Sequence, residues 1–177
     1  MSISEKPLAF SDFKITGLNP VVHEILEIGL IVVDQKTLKI TDHLSEKVRP
    51  EHTENATLDA LSEVCYNEFD WQGACSIEDA MRHYAEKTKG AILFTHSTVH
   101  ESFLRMAFHK TGVKNEMDPR RIDFWTVAWM KLRRTDLSEF SLDEVSRYFD
   151  LQKEPRPHRA LQGALNLFEI YKRLAAQ

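Results

Sequence analysis

Three short stretches bring together residues whose types and spacing could do chemistry. In "AFSDFKITGLNP" an apolar run reaches Asp12, then Lys14 two positions on, then a Thr-Gly-Leu-Asn-Pro turn. Residues two apart on a strand share a face, so a carboxylate and an ammonium arrive together at a strand end. A carboxylate there suits a divalent cation, whereas an ammonium beside it opposes one. In "THSTVHE" (95–101), His96, His100 and Glu101 sit where a strand enters a helix. In "RPHRALQGAL", His158 precedes the closing helix and Gly163 lies just inside it. If the fold brings the three stretches together, His96, His100 and His158 approach Asp12 and Glu101, a donor set that suits zinc; the competing reading is that His96 hydrogen-bonds locally.

The elements that must position these residues are legible from periodicity and punctuation. Leu8 to Asp12 reads as a strand, "EILEIGLIVVD" (24–34) as a second, and "KITDHLSEKVRP" (39–50) as a third, joined to the second through "DQKT". Helices are expected over 56–66 and over "SIEDAMRHYAEKTKG", which has a Ser76 cap and a closing Gly90. "AILFTH" is a buried strand, "VHESFLRMAFHKTG" a helix, "RRIDF" a short strand and "WTVAWMKLRR" a helix. "SLDEVSRYFD" opens on a Ser-x-x-Glu capping box, and "RALQGALNLFEIYKRLAA" is a strongly periodic closing helix. The order β-β-β-α-α-β-α-β-α-α-α predicts an α/β fold, a mixed sheet covered by helices.

Length and composition bound the rest. With 177 residues, 42% hydrophobic, the chain suits a single domain, 1–177. No stretch approaches the ~20 apolar residues of a membrane span, and "MSISEKPLAF" has neither the basic nor the long apolar part of a signal peptide. Cys65 and Cys75 form no C-x-x-C, so reduced thiols and a cytoplasmic location are expected. The net charge is −4, but Arg105 to Arg134 holds eight Lys/Arg against three acids, leaving −9 elsewhere. That segment is either a phosphate track or a solvated helical face. Trp125 and Trp129, four apart, read as a core or partner-facing stripe before a base-stacking platform.

In this order the stretches resemble the DEDDh 3′–5′ exonucleases, the DnaQ-like group of the proofreading epsilon subunit, RNase T and oligoribonuclease. The likeness runs from about Leu8 to Leu174. The family's Asp-x-Glu-Thr-Thr-Gly-Leu-Asn-Pro and Ile-Ile-Glu-Ile-Gly correspond to "DFKITGLNP" and "EILEIG". Its His-Asn-x-x-Phe-Asp corresponds to "HSTVHE", its Ile-Asp-Thr to "RIDFWT", and its His-Arg-Ala-Leu-x-Asp-Ala to "HRALQGA". The resemblance implies an RNase H-like fold, a mixed five-stranded sheet flanked by helices. It also implies hydrolysis with two Mg²⁺ or Mn²⁺ held by four acids, and a histidine as general base.

Carried over, Asp12 and His158 match the family, Glu101 stands for Asp, Lys14 for Glu and Gly163 for the last Asp. The four acidic positions, −4 in the family, sum to −1 here. An ammonium about 4 Å from a divalent cation repels it by about 8 kcal/mol at an effective dielectric near 20. The reading is therefore a degenerate site: Asp12, Glu101 and His158 as remnants, weak or no metal at Asp12 and Glu101, no cofactor, and Mg²⁺ or Mn²⁺ only if the chain is active. Lys14 is expected between Asp12 and Glu101 in place of an ion. Thr16, Gly17, Leu18 and His96 match positions that meet nucleic acid, which implies a cleft for single-stranded 3′ ends or nucleotides. Two alternatives stay open: an active exonuclease recruiting Glu27 or Asp123, and a protein-interaction scaffold, with a homodimer through the Trp125/Trp129 helix by analogy.

Overall fold

The computed structural model describes residues 2–151 and 156–176. Its elements are β1 (Leu8–Ile15), β2 (Ile25–Val33), β3 (Ile40–Lys47), α1 (Leu58–Glu63), α2 (Ile77–Lys87), β4 (Ile92–Thr95), α3 (Thr98–Thr111), β5 (Arg121–Asp123), α4 (Phe124–Leu132), α5 (Leu142–Tyr148) and α6 (Ala160–Ala175). This is the expected order, with short 3₁₀ turns at Ile3–Glu5 and Thr53–Asn55 added. The sheet runs β3-β2-β1-β4-β5. β1 pairs antiparallel with β2 and parallel with β4, so the sheet is mixed and β1 lies at its centre.

Period-2 alternation decides which side chains reach which layer. Ala9 and Phe13 of β1, with Ile28, Leu30 and Val32 of β2, bury against α2 and α3. Leu8 and Phe10, with Ile31 and Val33, bury on the opposite face against α4, α5 and α6. Phe10 stacks within 4.8 Å of Phe94 and 5.2 Å of Phe168, fastening α6 to the sheet centre. The register places Asp12 opposite Gly29 and Lys14 opposite Glu27. Gly29 is required there because a Cβ would overlap the Ala160 backbone, so the first turn of α6 rests directly on β2.

Two readings change. Ser141 caps α5 as expected, its hydroxyl accepting from Glu144 N at 3.2 Å, but Glu144 does not close the box. Its carboxylate reaches back and accepts from the backbone N–H groups of Ser138, Glu139 and Phe140 at 2.7–3.0 Å, gathering a turn in which Phe140 has φ +54°. Of the core and partner-facing readings of Trp125 and Trp129, core is excluded: they stack at 6.3 Å and are 48% and 42% exposed. Among the described residues no helix is long and apolar enough to cross a membrane.

Candidate functional site

The end of β1 opens onto a cleft of about 750 Å³ between α1, α5 and the starts of α3 and α6. Asp12, Lys14, Gly17, Leu18, His96 and His158 all line it, as does His100. The sequence thus placed most of its chemistry-bearing residues around one cavity.

The Asp12 side chain is only 6% exposed, and its two oxygens have different neighbours. Oδ2 lies 3.1 Å from the Lys14 ammonium, which also stands 3.5 Å from Glu63 Oε1. Oδ1 lies 3.2 Å from His100 Nδ1, a buried atom outside hydrogen-bond alignment with any group described. Behind the carboxylate is Gly163, where a Cβ would overlap Oδ2 and stand 2.7 Å from Cγ. Burial pushes the His100 imidazole down to about 4, against the raising effect of Asp12, so it is neutral at physiological pH. The donor atoms of Asp12, His96 and His100 all lie within 4.8 Å of one another.

Glu101 departs from expectation. Arg121 of β5 holds its carboxylate in an ion pair, and Glu101 is not among the cleft residues. Lys14 therefore bridges Asp12 and Glu63, not Asp12 and Glu101, because α1 presents the nearer acid. The acids considered as substitutes are also engaged. Glu27, 5% exposed, pairs with Arg159 and accepts from Ala160 N at 3.2 Å, a carboxylate at a helix N-terminus. Asp123 caps α4, accepting from Thr126 N at 2.8 Å.

Thr16 does not line the cleft. It is fully buried, and its hydroxyl accepts from Glu24 N at 2.8 Å while its carbonyl accepts from Thr57 N at 2.8 Å, so it ties the turn to α1. Gly17 and Leu18 do reach the cleft, with Leu18 76% exposed. His158 N donates to Glu63 O at 3.2 Å, joining the entry of α6 to α1.

Residues missed from the sequence are Glu63 of α1, Asp143 and Ser146 of α5, and Asn166 of α6. Asn166 follows Gly163 by three positions, which puts it on the same helix face and made it findable. Glu63 carries no such signal. Among the described residues the cleft's charged lining is Asp12, Asp59, Glu63 and Asp143 against Lys14, or −3. None of the eight basic residues between Arg105 and Arg134 lines it, and several are taken locally: Arg121 by Glu101, Arg120 by Asp118, Lys114 by Glu116.

A mixed five-stranded sheet with a cleft at the end of its central strand defines a class, the RNase H-like exonuclease fold. Residues 10–171 match the family described as Exonuclease (RNase_T), and the chain belongs to that DnaQ-like exonuclease family. It is 27% identical over 164 residues to a PolC-type DNA polymerase III from Caldanaerobacter subterraneus subsp. tengcongensis. That alignment covers 90% of this chain but 11% of the polymerase, so the chain spans about a ninth of that relative's length. The nuclease domain of 3′hExo, a DEDDh family member solved bound to rAMP, superposes with a TM-score of 0.78 at 20% identity, covering 99% of this chain and 94% of that one. A structure of exonuclease I superposes at 0.81 with 11% identity, covering 97% and 41%. Exonuclease I from E. coli in complex with a dT13 oligonucleotide superposes at 0.74 with 10% identity, again covering 97% and 41%. At such identities these likenesses speak to the fold.

Proposed function

We propose that this chain is an exonuclease-fold protein, acting as one domain over 1–177, that has lost two-metal hydrolysis and still receives a single-stranded 3′ end or a nucleotide in its cleft. The observation that carries this reading is the Lys14 ammonium 3.1 Å from Asp12 Oδ2. DEDDh exonucleases normally use Mg²⁺ or Mn²⁺, hard cations that need several oxygen ligands. Here one oxygen of Asp12 is neutralised by Lys14 and backed by Gly163, and Glu101 is neutralised by Arg121. Glu27 and Asp123 are committed to Arg159 and to the α4 cap. These residues do not fit a pair of hard divalent cations.

The ligand class follows from what the cleft retains. The 3′hExo nuclease domain was solved with rAMP and exonuclease I with dT13, and this chain shares their fold. Leu18 offers an exposed apolar side chain at the rim, and His96 and His158 line the cleft within. The described lining, −3 in sum, disfavours phosphates, so affinity comes from base and sugar contacts. Binding is therefore only weakly salt-dependent, contrary to what the basic segment alone suggests.

The test is fluorescence anisotropy with labelled single-stranded DNA and RNA, in chelator, with AMP as competitor. The expected result is binding that AMP competes, a shallow salt slope, and weakening by Leu18→Asp. Absence of binding to any of these ligands rejects the cleft's role and favours the scaffold reading.

A further inference from the structure

We propose that Asp12, His96 and His100 form a mononuclear site for a transition-metal cation of the zinc class, with one coordination position open to the cleft. Ligands bonded at 2.0–2.1 Å to a tetrahedral ion stand about 3.3 Å apart. Asp12 Oδ1 and His100 Nδ1 are 3.2 Å apart, and all three donor groups fall within 4.8 Å. The 3.2 Å contact is not an aligned hydrogen bond, and His100 Nδ1 is buried with no hydrogen-bond partner among the described residues. A buried nitrogen of that kind calls for an explanation, and a cation shared with Asp12 Oδ1 supplies one.

Local structure holds the donors in place. Thr95 Oγ1 donates to Ser97 O at 3.0 Å, and Ser97 caps α3 by accepting from His100 N at 3.3 Å. This fixes the turn that carries both histidines, whose rings lie 5.2 Å apart at 66°. The edge of Phe13, 5.8 Å away at 86°, backs His100. Metal sites depend on such pre-set ligands.

Lys14, which opposes the family's metal pair, supports this site. It holds Oδ2 while Oδ1 faces His100, so the carboxylate itself separates ammonium from cation. A ligating carboxylate is ordinarily fixed by such an outer partner. One carboxylate and two imidazoles suit Zn²⁺ or Co²⁺ and are a poor set for Mg²⁺. All three residues line the 750 Å³ cleft, which leaves room for water or a ligand oxygen as the fourth donor.

The test uses the full chain, stripped with chelator and titrated with Co²⁺ while visible absorption is followed. The expected result is a saturable tetrahedral-type band at one equivalent, displaced by Zn²⁺ and untouched by millimolar Mg²⁺. His96→Gln and His100→Gln each weaken it about tenfold or more, at least the loss that follows when only the outer partner of a ligand is removed. Glu24→Gln, in the exposed Glu24/Glu51/His52 trio, leaves it unchanged. Thermal melting checks folding, and His96→Gln carries the test if the buried His100 variant unfolds. No stoichiometric binding, or binding that survives both histidine changes or disappears with Glu24→Gln, overturns the proposal. Nucleic acid is absent here and metal is absent from the anisotropy assay, so either proposal can fail alone.

Discussion

The Asp12 carboxylate fills the space in front of Gly163, leaving no room for a Cβ on that glycine. Alanine in a helix interior is normally worth about 0.8–1.0 kcal/mol over glycine. Forcing extra volume into a packed site costs about 1–3 kcal/mol. Gly163→Ala should therefore lower stability by about 1 kcal/mol net in urea denaturation. A gain of the full helix preference would mean that Asp12 moves aside freely and does not depend on Gly163.

Lys14 and Asp12 are both nearly buried, at 11% and 6% side-chain exposure. Removing one partner of such a pair strands the other charge, at about 3–5 kcal/mol. Lys14→Met should destabilise by about 3 kcal/mol, the low end of that range, because both side chains keep some exposure to the cleft. Lys14→Met/Asp12→Asn should recover most of that loss, and the double-mutant cycle measures the coupling. Additive effects would show that the ammonium does not neutralise Asp12.

Glu27 and Arg159 dock the start of α6 on β2, with Ala160 N held by the same carboxylate. Glu27→Gln should cost about 2–3 kcal/mol, less than for a fully buried pair because Arg159 is 37% exposed. It should also weaken nucleotide binding, since α6 carries the far wall of the cleft. Unchanged binding would separate this pair from the positioning of His158.

Glu144 supplies a pH-dependent clamp. The N–H groups of Ser138, Glu139 and Phe140 hold its carboxyl down to about 2 from an ordinary 4.5. A depressed carboxyl contributes stability that is full above the ordinary value and lost as pH falls toward 2. The native chain should thus exceed Glu144→Gln in unfolding midpoint at neutral pH, and the gap should close across that acidic window. A gap that stays constant there would assign the effect to shape instead of charge.

Part of the site was legible from local rules: period-2 alternation puts Asp12 and Lys14 on one face, and helix punctuation places His96, His100 and His158 at the ends of elements. That these ends meet in one cleft was implied by the family resemblance, not by the local pattern. The failures are tertiary. Glu101 meets Arg121 across twenty positions of chain, and Lys14 finds Glu63 on a helix that no motif marks. Of the two readings of 105–134, the solvated face fits better, because Lys114 and Arg120 pair with acids two positions away and none of the eight basic residues lines the cleft. Gly163 reads from sequence only as a glycine where the family has an acid; the fold reveals that Asp12 occupies the space a side chain there would need.

The most direct test of the central claim is a degradation assay. End-labelled single-stranded DNA and RNA are incubated with the pure chain in Mg²⁺ and then Mn²⁺, beside an Asp12→Ala control. The account predicts no 3′–5′ ladder beyond that of the control. A ladder that vanishes in Asp12→Ala would contradict it and require Asp12 to support metal-dependent hydrolysis with Mg²⁺ or Mn²⁺.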